Sequence, residues 1–121
     1  MYVHINSHFD HKGVEARKNG LQLVIDKIAG MNPDGYPMVL TGDFNVDQNN
    51  EIFSILTESG MLVDTYSAAK HRLAHTGTVN RFKSDFATDS RIDHIFVSPE
   101  FKKAGNKVIR LAPEFNSDHL P

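Results

Sequence analysis

The chain has 121 residues, of which 40% are hydrophobic and 23% are charged, as is ordinary for a globular protein with one core. Fifteen acidic residues against thirteen Lys and Arg give a net charge of −2, so no overall positive field indicates binding to nucleic acid or an anionic membrane. The lack of cysteine excludes disulfides and thiolate chemistry, and no run approaches the roughly 20 apolar residues of a membrane span.

The first part of the chain is predicted to form a strand, a helix and a second strand. Polar and apolar residues alternate over positions 2–10, which predicts a half-buried strand with one polar face. Apolar residues recur at helical spacing over positions 13–29, and Gly30 is expected to end that helix. A turn cluster at 31–37 leads into an apolar strand that begins at Met38. This order predicts a βαβ unit with two parallel, adjacent strands.

Shorter elements are predicted to follow. Asn49 is expected to cap a short helix that Gly60 closes, and positions 61–65 have the pattern of a short strand. Positions 66–88 have several cations, one acid and no strong period, and such a segment is either functional or a solvated surface loop.

A second strong strand pattern occupies positions 91–98. Ile92, His94 and Phe96 fall on one face of this strand, and Asp93 falls on the other. An acid within so apolar a strand needs a partner or a chemical role. Two further segments follow, a short strand at 107–111 and a polar cluster at 116–121.

The most suggestive stretch lies at the end of the second strand. A tight turn is expected at Thr41 and Gly42, after which Asp43 and Asn45 project the same way while Phe44 enters the core. A carboxylate and a carboxamide side by side suit a magnesium-like cation or the positioning of an attacking water. The alternative is a simple turn after a buried strand, because Gly, Asp and Asn are common turn residues.

Polar side chains stand near the ends of four predicted strands. If these strand ends meet at one rim, the side chains suit hydrolysis of a phosphate ester, since acids hold a cation or water and a histidine binds the phosphate. The alternative for each is structural: a polar strand residue, a buried acid or a terminal tail. The four clusters are Asn6 with His8, Asp43 with Asn45, Asp93, and Asp118 with His119.

Together these residues resemble the endonuclease/exonuclease/phosphatase family of metal-dependent phosphoesterases. The resemblance implies a two-sheet sandwich flanked by helices, and it identifies residues 1–121 as the C-terminal portion of one such domain, truncated at both ends. The expected fold is therefore α/β, half of the four-layered arrangement, with one mixed sheet and flanking helices. The matching motifs, in family order, are NSHFD at 6–10, TGDFN at 41–45, RIDHIFVS at 91–98 and SDHLP at 117–121.

The resemblance also implies a divalent metal, magnesium or manganese. Asp43 and Asn45 would bind this metal and orient the nucleophilic water. Asp118 would be a further metal ligand or a leaving-group residue.

The resemblance assigns the remaining polar residues to the phosphate. His119 would face it, with Asp93 as the supporting carboxylate, and His8 would touch the scissile phosphate with help from Asn6. Arg81 belongs to the cation-rich segment, where it is a candidate for binding a second phosphate or a nucleotide.

One departure separates the chain from the family. The family domain is much longer, and its first half supplies an asparagine and a glutamate, the glutamate being a principal metal ligand. Two functions therefore stay open: a phosphoesterase, possible nuclease included, that is active in its intact context, or a catalytically silent fragment or binding module. The expected partners are a phosphoester, nucleic acid or nucleotide, and either the missing half or a second copy covering a large apolar patch.

Overall fold

The computed structural model describes residues 1–10, 12–70, 77–79, 81 and 88–101. These residues form a sheet with helices packed on it. The elements in chain order are β1 (Val3–His8), α1 (Val14–Met31), β2 (Met38–Asp43), α2 (Glu51–Glu58), β3 (Val63–Asp64), α3 (Thr65–Ala68), β4 (Asp93–Val97) and a single 3₁₀ turn (Pro99–Phe101).

The described strands form one mixed sheet in the order β1-β2-β4-β3. β1 and β2 are parallel neighbours joined through α1, which confirms the predicted βαβ unit. β4 runs antiparallel to both β2 and β3. This mixed α/β sheet with flanking helices is the fold class expected from the sequence. The strand predicted at 107–111 lies outside the described residues.

One face of the sheet holds the core. Leu40 of β2 and Phe96 of β4 are almost completely buried and belong to one hydrophobic cluster. The helices contribute to the same cluster through Leu21 of α1 and Leu56 of α2, which are fully buried. The core therefore lies between the sheet and its helices.

The opposite face of the sheet is polar along β1 and at the end of β2, and it carries the apolar side chains of Val39, Ile95 and Val97 farther along β2 and β4. The exposed side chains of His4, Asn6 and His8 alternate with half-buried ones along β1, as predicted. Ile95, 45% exposed, is the one large apolar side chain of β1, β2 or β4 that is exposed. The large apolar patch expected on the sheet therefore stays a prediction. Among the described residues, no helix combines the length and apolar character needed to cross a bilayer.

The end of α1 differs from the prediction. The helix continues through Gly30 to Met31 and is closed by Asn32, whose N–H donates to the carbonyl of Ile28. The Asn32 side chain also exchanges two hydrogen bonds with the backbone of Tyr36, at 2.7 and 2.9 Å. Asn32 ends the helix because Pro33 disfavours helical backbone at the residue before it, and the Asn32 side chain then binds the turn that leads to β2.

The cap of α2 is one residue later than predicted. The side chain of Asn50, not that of Asn49, accepts a hydrogen bond from the N–H of Ile52 at 3.0 Å. Asn49 instead donates its backbone N–H to the Asp47 carboxylate, at 2.9 Å. Asp47 thereby forms a turn of its own ahead of the helix.

Candidate active site

The candidate site lies at the C-terminal ends of β1 and β2. The prediction of a tight turn at Thr41 and Gly42 is wrong, because β2 stays extended through Asp43 and is paired on both sides. The ladder continues past the strand, since Phe44 donates its N–H to the carbonyl of Ile92 at 2.8 Å. The turn comes later, at Asn45, whose φ of 49° is in the left-handed region.

Three of the predicted site residues lie in one row across the sheet. His8 of β1 and Asp93 of β4 are the register partners of Asp43 on its two sides. The His8 Nε2 atom is 3.4 Å from Asp43 Oδ2, and the two form an ion pair when the imidazole is protonated. The side chain of His8 is 75% exposed, whereas that of Asp43 is only 14% exposed. The row therefore has a half-buried acid at its centre and an accessible imidazole at its edge.

Asn45 lies beside Asp43, but not through strand alternation. Its N–H donates to Asp43 Oδ1 at 2.8 Å, and its Nδ2 donates to the carbonyl of Phe9 at 2.7 Å. Among the described residues, the Asn45 amide oxygen accepts no hydrogen bond. The predicted neighbourhood of carboxylate and carboxamide is thus present, held by a turn that reaches across to β1.

An aromatic cluster packs against this corner on the core side of the sheet. Phe44 is buried, as predicted, and its ring packs 5.1 Å from that of Phe9 and 5.4 Å from that of Phe96. His94 adjoins the same cluster, and its Nε2 binds the carbonyl of Val46 at 3.0 Å. Burial holds the pKa of His94 below its ordinary value. His94 is a core residue on the face opposite the site.

Three polar side chains joined by hydrogen bonds lie on the same face of the sheet, next to the row formed by His8, Asp43 and Asp93. The Thr41 hydroxyl donates to Asn6 Oδ1, and His4 Nε2 lies at the same distance, 2.9 Å, from the Thr41 oxygen. Sequence reasoning proposed Asn6 but missed Thr41 and His4. The sequence did contain a signal for them, because side chains two positions apart on a strand point to the same face. His4 and Asn6 therefore share a face with His8 on β1, and Thr41 shares that face with Asp43 on β2.

Part of the segment at 66–88 supports the start of β4. The buried Thr78 hydroxyl oxygen accepts hydrogen bonds from the N–H groups of Ile92, at 3.1 Å, and Asp93, at 3.2 Å. Arg81 is exposed and has a positive φ of 52°. Its phosphate-binding role stays a prediction, as do the roles of Asp118 and His119, which lie outside the described residues.

This corner of the sheet supplies only some of the ligands that a divalent cation needs. The Asp43 carboxylate and the Asn45 amide oxygen are hard donors of the kind that magnesium prefers. Among the described residues, however, no three His, Asp or Glu side chains converge to hold a metal ion. The described residues therefore do not form a complete metal site by themselves.

Comparisons with known proteins relate the whole chain to one family. Residues 5–119 match the model of the endonuclease/exonuclease/phosphatase family. The chain is similar to the solved structure of a mannosyl-6-phosphatase of Bacteroides thetaiotaomicron VPI-5482, at 34% identity and a TM-score of 0.82, covering 97% of this chain and 48% of that one. A search among curated proteins gave no match.

Two further solved structures, both of proteins of this family, are similar. One, from Bacteroides thetaiotaomicron, shares 43% identity over 79% of this chain and 35% of its own, with a TM-score of 0.75. The other, from Bacteroides vulgatus, shares 31% identity over 93% of this chain and 44% of its own, with a TM-score of 0.79. The chain thus spans less than half the length of these solved relatives.

Proposed function

This chain belongs to the endonuclease/exonuclease/phosphatase family, and we propose that it supplies half of the active site of an enzyme that hydrolyses a phosphoester with water. The row His8, Asp43 and Asp93 carries the proposal, because it combines an accessible imidazole with a half-buried carboxylate at one strand edge. Side chains of this kind suit phosphate binding and the orientation of water.

Each residue of the corner has a task in this reaction. The exposed His8 donates a hydrogen bond from Nε2 to an oxygen of the scissile phosphate. The Asp43 carboxylate accepts a hydrogen bond from the attacking water and takes its proton as the water oxygen bonds to phosphorus. The bond from phosphorus to the leaving oxygen breaks, and that oxygen takes a proton from solvent water, while the proton held by Asp43 is released to solvent. Asn45 keeps the Asp43 carboxylate in place through its backbone N–H.

We assign metal dependence to the complete domain. Asp43 and Asn45 would contribute oxygen ligands, with Asp118 as a further ligand. A bound magnesium or manganese ion supplies neutralisation of the negative charge on the phosphoryl oxygens. By the same proposal, Asp93 supports His119, which faces the phosphate.

For the substrate, we propose a phosphomonoester as the first class to test. A relative at 34% identity is named a mannosyl-6-phosphatase, which favours a sugar phosphate. The exposed cations Lys70 and Arg81 of the segment at 66–88 are candidates for binding a second anionic group of the substrate. The net charge of −2 gives no support to a nucleic-acid duplex.

A catalytically silent module is the second candidate function. It is favoured by the incomplete ligand set among the described residues. Calorimetric titration of the 121-residue chain with magnesium tests this second candidate, because the silent module binds at best in the millimolar range. Micromolar affinity would eliminate it.

The decisive experiment substitutes Asp43 in the full-length protein. Asp43→Asn keeps the size of the side chain and removes its charge, so hydrolysis of chromogenic phosphomonoesters and phosphodiesters is expected to fall about 10² to 10⁴-fold. The matched control is Asp26→Asn, because Asp26 is an exposed acid of α1 whose one described contact is a hydrogen bond from Gln22. Full activity in Asp43→Asn would refute the assigned role.

A further inference from the structure

The polar chain His4–Thr41–Asn6 has a definite order of donors and acceptors. A threonine hydroxyl carries one proton, and Thr41 gives it to Asn6 Oδ1 at 2.9 Å. The Thr41 oxygen must then accept at its contact with His4, so the proton of the neutral His4 ring is on Nε2. One hydroxyl therefore determines both the tautomer of His4 and the orientation of the Asn6 amide.

The orientation of Asn6 has a chemical consequence. With its Oδ1 bound to Thr41, the Asn6 amide presents its N–H groups elsewhere, and no acceptor for them exists among the described residues. Asn6 is exposed and precedes His8 by two positions, so both side chains project from the same face of β1. An unrestrained amide rotates by half a turn at little cost. It then presents its oxygen instead of its N–H groups, and a negatively charged phosphate repels that oxygen.

We propose that Thr41 is a positioning residue that holds the Asn6 amide with its N–H groups toward a non-bridging phosphate oxygen beside His8. The inference rests on the proposed function, because it names an additional phosphate-binding group of the same site. Thr41 acts through Asn6 and does not touch the substrate. His4 completes the arrangement, because its donated hydrogen bond leaves the Thr41 proton for Asn6.

The kinetic test compares Thr41→Val with Thr41→Ser in the full-length protein. Valine keeps the shape of threonine and removes the hydroxyl, so kcat/KM for a chromogenic phosphomonoester is expected to fall about tenfold, the size of one hydrogen bond to an anion. Serine keeps the hydroxyl and is expected to restore the value to within about twofold. Thermal melts of both variants establish that the fold is retained.

A double-mutant cycle separates positioning from simple stabilisation of the sheet. If Thr41 acts through Asn6, Thr41→Val lowers kcat/KM no further once Asn6→Ala is present. Equal, additive losses in the presence and absence of Asn6 would overturn the proposal. So would a Thr41→Val enzyme with the wild-type kcat/KM.

A binding measurement keeps this inference distinct from the proposed function. Inorganic phosphate is titrated into ¹⁵N-labelled full-length protein, and the side-chain amide signals of Asn6 are followed by NMR. They are expected to shift in wild type and in Thr41→Ser, and to shift much less in Thr41→Val. If no phosphoester is hydrolysed but this pattern is seen, the proposed function fails and the positioning role stands. If hydrolysis occurs and phosphate leaves the Asn6 signals unmoved, the positioning role is overturned.

Discussion

Asn45 donates a hydrogen bond from its side-chain nitrogen to the backbone carbonyl of Phe9, at 2.7 Å, and so joins the chain leaving β2 to the chain leaving β1. The backbone of Asn45 is left-handed, with φ of 49°, a conformation in which asparagine and glycine are favoured. The N–H of the same residue binds the Asp43 carboxylate. The side chain and backbone of Asn45 thus fix the Asp43 carboxylate relative to the ends of both β1 and β2.

Substitution of Asn45 is expected to lower stability in a graded way. Asn45→Ala loses a hydrogen bond worth about 1 kcal/mol, and alanine adopts the left-handed conformation less readily than asparagine at a further cost of about 1 kcal/mol, so the free energy of unfolding falls by about 2 kcal/mol. Asn45→Gly loses the hydrogen bond but adopts the conformation freely, and is expected to fall between wild type and alanine. Urea denaturation of the full-length protein measures both. An alanine variant as stable as the glycine variant would contradict this account.

Gly42 permits the close approach of β1 to β2 immediately before the site. A Cβ added there would overlap the carbonyl oxygen of Ser7 and lie 2.9 Å from its carbonyl carbon. Because both groups are backbone within a paired ladder, Gly42→Ala is expected to destabilise the protein by about 1–3 kcal/mol, as overpacking does. Phosphoester hydrolysis is expected to fall as well, because the register of His8 with Asp43 depends on this pairing.

Gly30 provides the matched control for that substitution. It lies within α1, and a Cβ added there meets nothing within 4 Å. Gly30→Ala is therefore expected to raise the free energy of unfolding by about 0.5–1 kcal/mol, the helix preference of alanine over glycine. Thermal and urea unfolding of the two variants should change in opposite directions. A shared direction would show that steric overlap with Ser7 is not the cause.

Part of the arrangement of the row could be predicted because it follows from periodicity. Alternation placed His8 on the polar face of β1 and Asp93 opposite the apolar face of β4, and the βαβ order made β1 and β2 parallel neighbours. The confirmed burial of Phe44 has the same origin. The pairing of β4 with β2, which puts Asp93 in register with Asp43, was not among the predictions.

What could not be predicted depends on contacts between distant positions. The orientation of Asn45 requires the Phe9 carbonyl, and the turn after α1 requires the bonds of Asn32 to Tyr36. Arg17, a charged residue of α1, is buried, and its guanidinium donates to the carbonyl of Asp10 at 2.8 Å. Residue type alone contains no signal for such partners, since each depends on where a second segment passes.

His94 is expected to make the stability of the protein depend on pH. The imidazole is almost fully buried among aromatic rings, its Nε2 binds the carbonyl of Val46, and its buried Nδ1 has no hydrogen-bond partner within the described ranges. Burial, and to a smaller extent the charge of Arg91, lowers the pKa of His94 from its ordinary value of 6.5. Protonation would place a second N–H in the core without an acceptor, so the folded state keeps the ring neutral.

Stability is therefore expected to fall as the pH drops below 6.5, the ordinary pKa of histidine. The unfolded chain takes up the His94 proton first, so the loss begins near that pH, has a slope of at most about 1.4 kcal/mol per pH unit, and stops below the lowered pKa of the folded state. His94→Gln retains a donor for Val46 and does not titrate, so its stability should be lower overall but less dependent on pH in this window. Urea denaturation of both proteins at a series of pH values from neutral to mildly acidic measures the difference. Parallel profiles would exclude His94 as the group responsible.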